Sequence, residues 1–172
     1  MQTFLPVTSF VKSMEFLDLR RLGKQRVEAG QILEILENKP YLPQSLGTLV
    51  PFDRTFSHWR RHPAVQMWSG HEEWLKLYIA CAIGEWCSRG YINSIVVPSY
   101  DTDSQEPPAW LGCEEFHYSH RCNLVRKFPQ HYGQFWKDET IDISAPYYWP
   151  TLNGFINSLE EKNGIDGAAH SS

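Results

Sequence analysis

The sequence predicts an all-α fold, a compact single domain of three main helices with long loops. Three observations carry that prediction. Apolar residues recur at helical spacing over three long stretches. The β-like run Ser94-Ile95-Val96-Val97 stands alone, and one strand makes no sheet, so it reads as extended loop. A length of 172 residues with 42% hydrophobic content supports one buried core and leaves no room for two full domains.

Element by element, Pro6 marks a turn or a helix entry, and Ser9 caps a short helix beginning near Phe10, with Val11, Met14 and Phe16 or Leu17 on its apolar side. Residues 18–38 form a long amphipathic helix on Leu22, Val27, Ala29, Ile32, Leu33, Ile35 and Leu36. Its first half is basic and its second half acidic, the reverse of what a helix dipole favours, so an anionic ligand is the expected reason for the cations. Three prolines and a glycine make 40–53 a loop. His62-Pro63 opens a central core helix over 63–89, with a break at Gly70 and Gly90 past its end. A polar, Pro-rich loop spans 101–108, a third helix spans 113–127, and Pro129 starts a further turn reaching Trp136. Residues 1–156 read as the domain and 157–172 as a flexible C-terminal tail. Seven Trp are unusual for this length; most should be core, with one or two left as a stacking wall for a flat ligand.

No apolar run is long enough to span a membrane, and residues 1–12 lack a signal-peptide pattern, which places the protein in the cytoplasm. Cys81, Cys87, Cys113 and Cys122 form no C-x-x-C pair and read as reduced thiols. A net charge of −4 argues against coating nucleic acid by bulk attraction. The cations are clustered, however: Arg20, Arg21, Lys24 and Arg26; then Arg60, Arg61 and His62; then Arg121, Arg126, Lys127 and His131. These are either three separate solvated faces or one basic face that grips phosphates locally. The first cluster suits phosphate best, because arginine supplies planar forks and 20 and 24 share a helix face. His117 and His120 lie within one helical turn; they could ligate zinc, line a nucleic-acid groove or act as caps, and the missing third ligand argues against metal. His71-Glu72-Glu73 lacks the second histidine of a metalloprotease motif. No phosphate-binding glycine motif or nucleophile elbow is present, which disfavours dinucleotide enzymes, P-loop ATPases and α/β-hydrolases; no cofactor and no metal is expected.

Three blocks in order carry a resemblance: Leu17 to Glu28 (LDLRRLGKQRVE), His62 to Trp68 continuing to Glu85-Trp86-Cys87-Ser88-Arg89-Gly90-Tyr91, and His117 to Lys127 followed by Pro129 to Gly133. This set resembles the pyrimidine-dimer DNA glycosylase family of the phage endonuclease V type, in a bacterial and phage branch that opens Met-Gln-Thr-Phe-Leu-Pro. The resemblance implies a monomeric repair enzyme that binds duplex DNA, extrudes a nucleotide beside a lesion and uses the N-terminal α-amine as nucleophile. An α-amine ordinarily titrates near about 7.7–8.0. It attacks the sugar C1′ to form an imine, and β-elimination then nicks the strand. The implied catalytic set is Met1, Gln2, Gln25 and Glu28. Gln2 is large enough to keep the initiator methionine in place, which leaves the amine on Met1. The family's glutamate position falls on Gln25, or on Arg21 with another gap, and Glu28 lies one turn away. Arg20, Arg21, Lys24, Arg26, Arg60, Arg61, His62, His117, His120, Arg121, Arg126 and Lys127 are the implied nucleic-acid contacts. Two alternatives stay open, an enzyme of the same fold modifying nucleotides or bases through other residues, and a non-catalytic nucleic-acid-binding module.

Overall fold

The computed structural model describes residues 1–37 and 59–150. The predicted loop at 40–53 and the predicted tail at 157–172 lie outside the described residues. Among the described residues the fold is helical with no strand. The elements are α1 Phe10–Phe16, α2 Leu19–Leu36, α3 Pro63–Gln66, α4 Glu72–Ser88, α5 Glu114–Lys127 and α6 Pro129–Tyr132.

Local chemistry sets the boundaries. The Ser9 hydroxyl accepts from the Lys12 amide to cap α1, and the Asp18 carboxylate accepts from the Arg20 and Arg21 amides to cap α2. His62 caps α3 through its ring, with Pro63 at the first position. The central helix is interrupted, as the glycine suggests: Gly70 has φ +81, a left-handed conformation that L side chains resist, and α4 restarts at Glu72. Gly90, at φ +85, follows α4 in the same way.

Helix α4 is the hub. It packs against α2 and α1, while α3 touches α2 and α6 folds back on α5. Leu22, Ala29 and Ile32 of α2 meet a core that contains Leu75, Tyr78, Ile79 and Ala82 of α4 and Phe116 and Leu124 of α5. The aromatic chain Phe10, Trp68, Trp110 and Phe116 runs through it; the Trp68 and Trp110 rings meet edge to face at 4.9 Å.

The tryptophan expectation needs correction. Trp68 and Trp110 lie in the core; Trp74, Trp86, Trp136 and Trp149 are half-buried and Trp59 is exposed. The indole N–H is the reason: Trp74 and Trp86 donate to the Gln105 and Ile92 carbonyls, pinning loops to the helices from the boundary rather than the interior.

Candidate active site

Residues 2–7 form neither helix nor strand, yet Thr3, Phe4, Leu5 and Pro6 are buried. Buried backbone groups must find partners, and here side chains supply them. The Gln2 amide donates to Glu28 Oε2 at 2.9 Å and the Phe4 amide to Gln25 Oε1 at 2.8 Å. The Tyr78 hydroxyl donates towards the Phe4 carbonyl at 3.0 Å and also lies 2.5 Å from Gln25 Oε1. The Leu5 amide donates to His120 Nδ1 at 2.9 Å, and the Leu5 carbonyl lies 2.8 Å from His117 Nδ1. Arg121 donates to the Pro6 carbonyl at 2.8 Å, and Ser13 to the Val7 carbonyl at 2.9 Å. Trp68 Nε1 closes the set on the Thr3 hydroxyl at 3.0 Å.

The two histidines therefore hold opposite tautomers, assigned from their partners. A carbonyl only accepts, so His117 carries its proton on Nδ1 and accepts from the Gly112 amide on Nε2. His120 accepts on Nδ1, which places its proton on Nε2. Burial, with His117 beside it, pushes the His120 pKa down to about 3, and burial also lowers His117 against the pull of the Leu5 carbonyl.

This arm ends in a cleft of about 450 Å³. Met1, Gln2 and Phe4 form one side; Arg20, Arg21, Lys24, Gln25 and Glu28 of α2 form another; Lys127 and Tyr147 complete it. Arg21 is tied to Asp18 at 2.5 Å. Burial alone would raise the Asp18 carboxyl, but hydrogen bonds from the Tyr132 hydroxyl and Arg21 outweigh it, and Asp18 ends below the usual range. Among the described residues, Arg20, Lys24 and Lys127 form no ion pair. Burial lowers the Lys127 pKa, and the charges of Arg21, Arg126 and Lys24 lower it further, so these cations converge without enough protein carboxylate to balance them. Tyr147 Oη is buried with no partner among the described residues, and burial pushes its pKa up to about 12, which keeps the phenol protonated.

The structure thus brings together Met1, Gln2, Arg20, Arg21, Lys24, Gln25, Glu28 and Lys127. Gln25 reaches the cleft only at its edge, being 1% exposed and spent on the arm, whereas Glu28 stands beside the chain's first residues. His62 is close by: burial lowers its pKa first, the Met1 amine charge second, and Glu28 opposes them. Arg60 and Arg61 are exposed just before it. Arg26 is elsewhere, its guanidinium 3.9 Å above the Trp86 ring and bonded to Asn93 at 2.8 Å. It lines a second groove, of about 520 Å³, across the ridge formed by Arg20, Lys24 and Glu28. Arg126 binds the Ile143 and Ala145 carbonyls, holding the segment that carries Tyr147 against α5. His117, His120 and Arg121 are not brought to the cleft. They face inward onto the arm, and Arg121 also pairs with Glu114 and Glu139. No group of three His, Cys, Asp or Glu side chains able to hold a metal occurs among the described residues. The roles of Tyr78, Tyr147 and Asp18 were missed by sequence reasoning; of these only Asp18 carries a local signal, as an acid directly ahead of a helix.

The family model described as pyrimidine dimer DNA glycosylase matches residues 1–96, more than half of the chain. The chain belongs to the pyrimidine dimer DNA glycosylase family. Searches with it match no curated protein and no solved structure. Membership makes it a DNA-repair protein of glycosylase type, with DNA as partner. In this member of the family the matched segment supplies the arm, α2 and α4, whereas Lys127 and Tyr147 join the cleft from beyond it. Among the described residues no helix is long and apolar enough to cross a membrane.

Proposed function

We propose that this chain is a DNA glycosylase and abasic-site lyase acting on damaged pyrimidines, with the Met1 α-amine as nucleophile and Glu28 as its acid–base partner. The observation that carries the proposal is the meeting of Met1 and Glu28 in one cleft with Arg20, Lys24 and Lys127, which form no ion pair among the described residues. Such cations hold the phosphates that flank an extruded nucleotide. The neutral amine forms a bond to C1′ as the glycosidic bond breaks and the base leaves with a proton. The nitrogen loses a proton, the sugar ring opens as O4′ takes a proton and leaves a protonated imine, and removal of a C2′ proton then expels the 3′ phosphate. In this reading Glu28 takes and returns these protons. Arg20, Arg21, Lys24 and Lys127 are the proposed phosphate contacts nearest the chemistry, with His62, Arg60 and Arg61 continuing the basic edge.

Borohydride trapping on a duplex with an abasic site or a pyrimidine dimer tests this, with intact mass and peptide mapping of the adduct. The expected product is a covalent protein–DNA species linked at Met1. No adduct, or an adduct on a lysine side chain, overturns the mechanism.

A further inference from the structure

From the way the arm is held we infer that Gln25, Tyr78 and His120 are positioning residues for this chemistry: by fixing Phe4 and Leu5 they decide where Met1 stands in the cleft. The inference rests on the proposed role of the Met1 amine. Gln25 Oε1 takes both the Phe4 amide and the Tyr78 hydroxyl, and Tyr78 also reaches the Phe4 carbonyl, so those three groups close a triangle. His120 takes the next amide from the opposite side, on α5. Three bonds from three helices, α2, α4 and α5, thereby define two consecutive peptide planes. Met1 is three residues further on, at most about 10 Å of extended chain. Over that lever a swing of about 10–15° at Phe4 displaces the amine by about 2 Å, and a misplacement of about 1 Å can slow a reaction by about a hundredfold. Ahead of Phe4, the Gln2 amide donates to Glu28 and the Thr3 hydroxyl accepts from Trp68 Nε1.

A merely structural role would also use buried partners, so the test separates placement from stability. Full-length His120→Leu removes the bond to the Leu5 amide, and Tyr78→Phe removes the hydroxyl that reaches both the Phe4 carbonyl and Gln25 Oε1. His120→Asn offers an oxygen where Nδ1 stands and serves as the conservative rescue. Three readings are taken: affinity for an abasic duplex, single-turnover borohydride trapping, and hydrogen exchange of the N-terminal peptide. Trapping should slow tenfold or more in His120→Leu and Tyr78→Phe with the dissociation constant within twofold. The arm amides should exchange at least tenfold faster, and His120→Asn should recover both. Should His120→Leu fail to fold, Tyr78→Phe, which loses a single hydroxyl, gives the answer alone. Wild-type trapping rates in these variants, or slow trapping explained by lost affinity, overturn the inference and leave the nucleophile intact. Absence of any adduct in the wild type removes the proposed mechanism itself.

Discussion

Lys24→Ala should flatten the salt dependence of DNA binding by a calculable amount. Arg20, Lys24 and Lys127 line the cleft and form no ion pair among the described residues, so each is available to displace a counterion from a phosphate. With a slope of about −0.9 per contact, the three together give about −2.7 in log K against log salt, and Lys24→Ala leaves about −1.8. Between 50 and 200 mM salt these three contacts would then cost about 40-fold in affinity, and the two left in the variant about 12-fold. Arg21→Ala should change the slope less, because Asp18 at 2.5 Å already offsets that charge. Fluorescence anisotropy on one labelled abasic duplex over a series of salt concentrations reads both numbers. Identical slopes for wild type and Lys24→Ala would show that this cleft does not meet the DNA backbone, and the proposed function would lose its support.

Further outcomes follow from individual contacts. Glu28→Gln keeps an acceptor for the Gln2 amide but cannot move protons; trapping should fall by about 10²-fold or more while DNA binding holds or tightens, and retained trapping would exclude Glu28 as the acid–base group. Tyr147→Phe deletes a buried hydroxyl without a partner among the described residues, so thermal stability should hold or rise, by up to about 1 kcal/mol. A large drop in melting temperature would instead show that the hydroxyl serves the fold. Gly84→Ala adds a methyl into open space in mid-helix and should stabilise by about 0.5–1 kcal/mol; Gly23→Ala should show no such gain in the same melts, because its Cβ would stand 3.1 Å from the Trp86 ring, which Arg26 and Tyr91 hold in place. His120 has its folded pKa below the unfolded 6.5, so the unfolded chain binds more protons. Its contribution is present above pH 6.5 and is lost as the pH falls towards about 3, at up to about 1.4 kcal/mol per pH unit. Chemical denaturation across that range should show a shallower pH dependence in His120→Asn, and an unchanged profile would mean that His120 is not buried neutral.

The sequence by itself determined the helices and their limits. Ser9, Asp18, Pro63, Gly70 and Gly90 act through bonds and dihedral angles within a few residues, and the apolar spacing of α2 and α4 shows which faces turn inward. The density of cations along the first turns of α2 was equally plain, because it is a count along the chain. What only the tertiary structure decided is which polar groups are already spoken for. Gln25, His117, His120 and Arg121 carry the same chemistry as surface ligands, yet all four are consumed by an arm 21 to 115 residues away that brings its own unpaired amides and carbonyls into the core. Tyr147 and Lys127 reach the cleft from the other end of the chain, which no local pattern encodes. Periodicity and capping are short-range and leave marks in neighbouring residues. The satisfaction of a buried donor is a long-range condition, met by whichever side chain the packing places within about 3 Å.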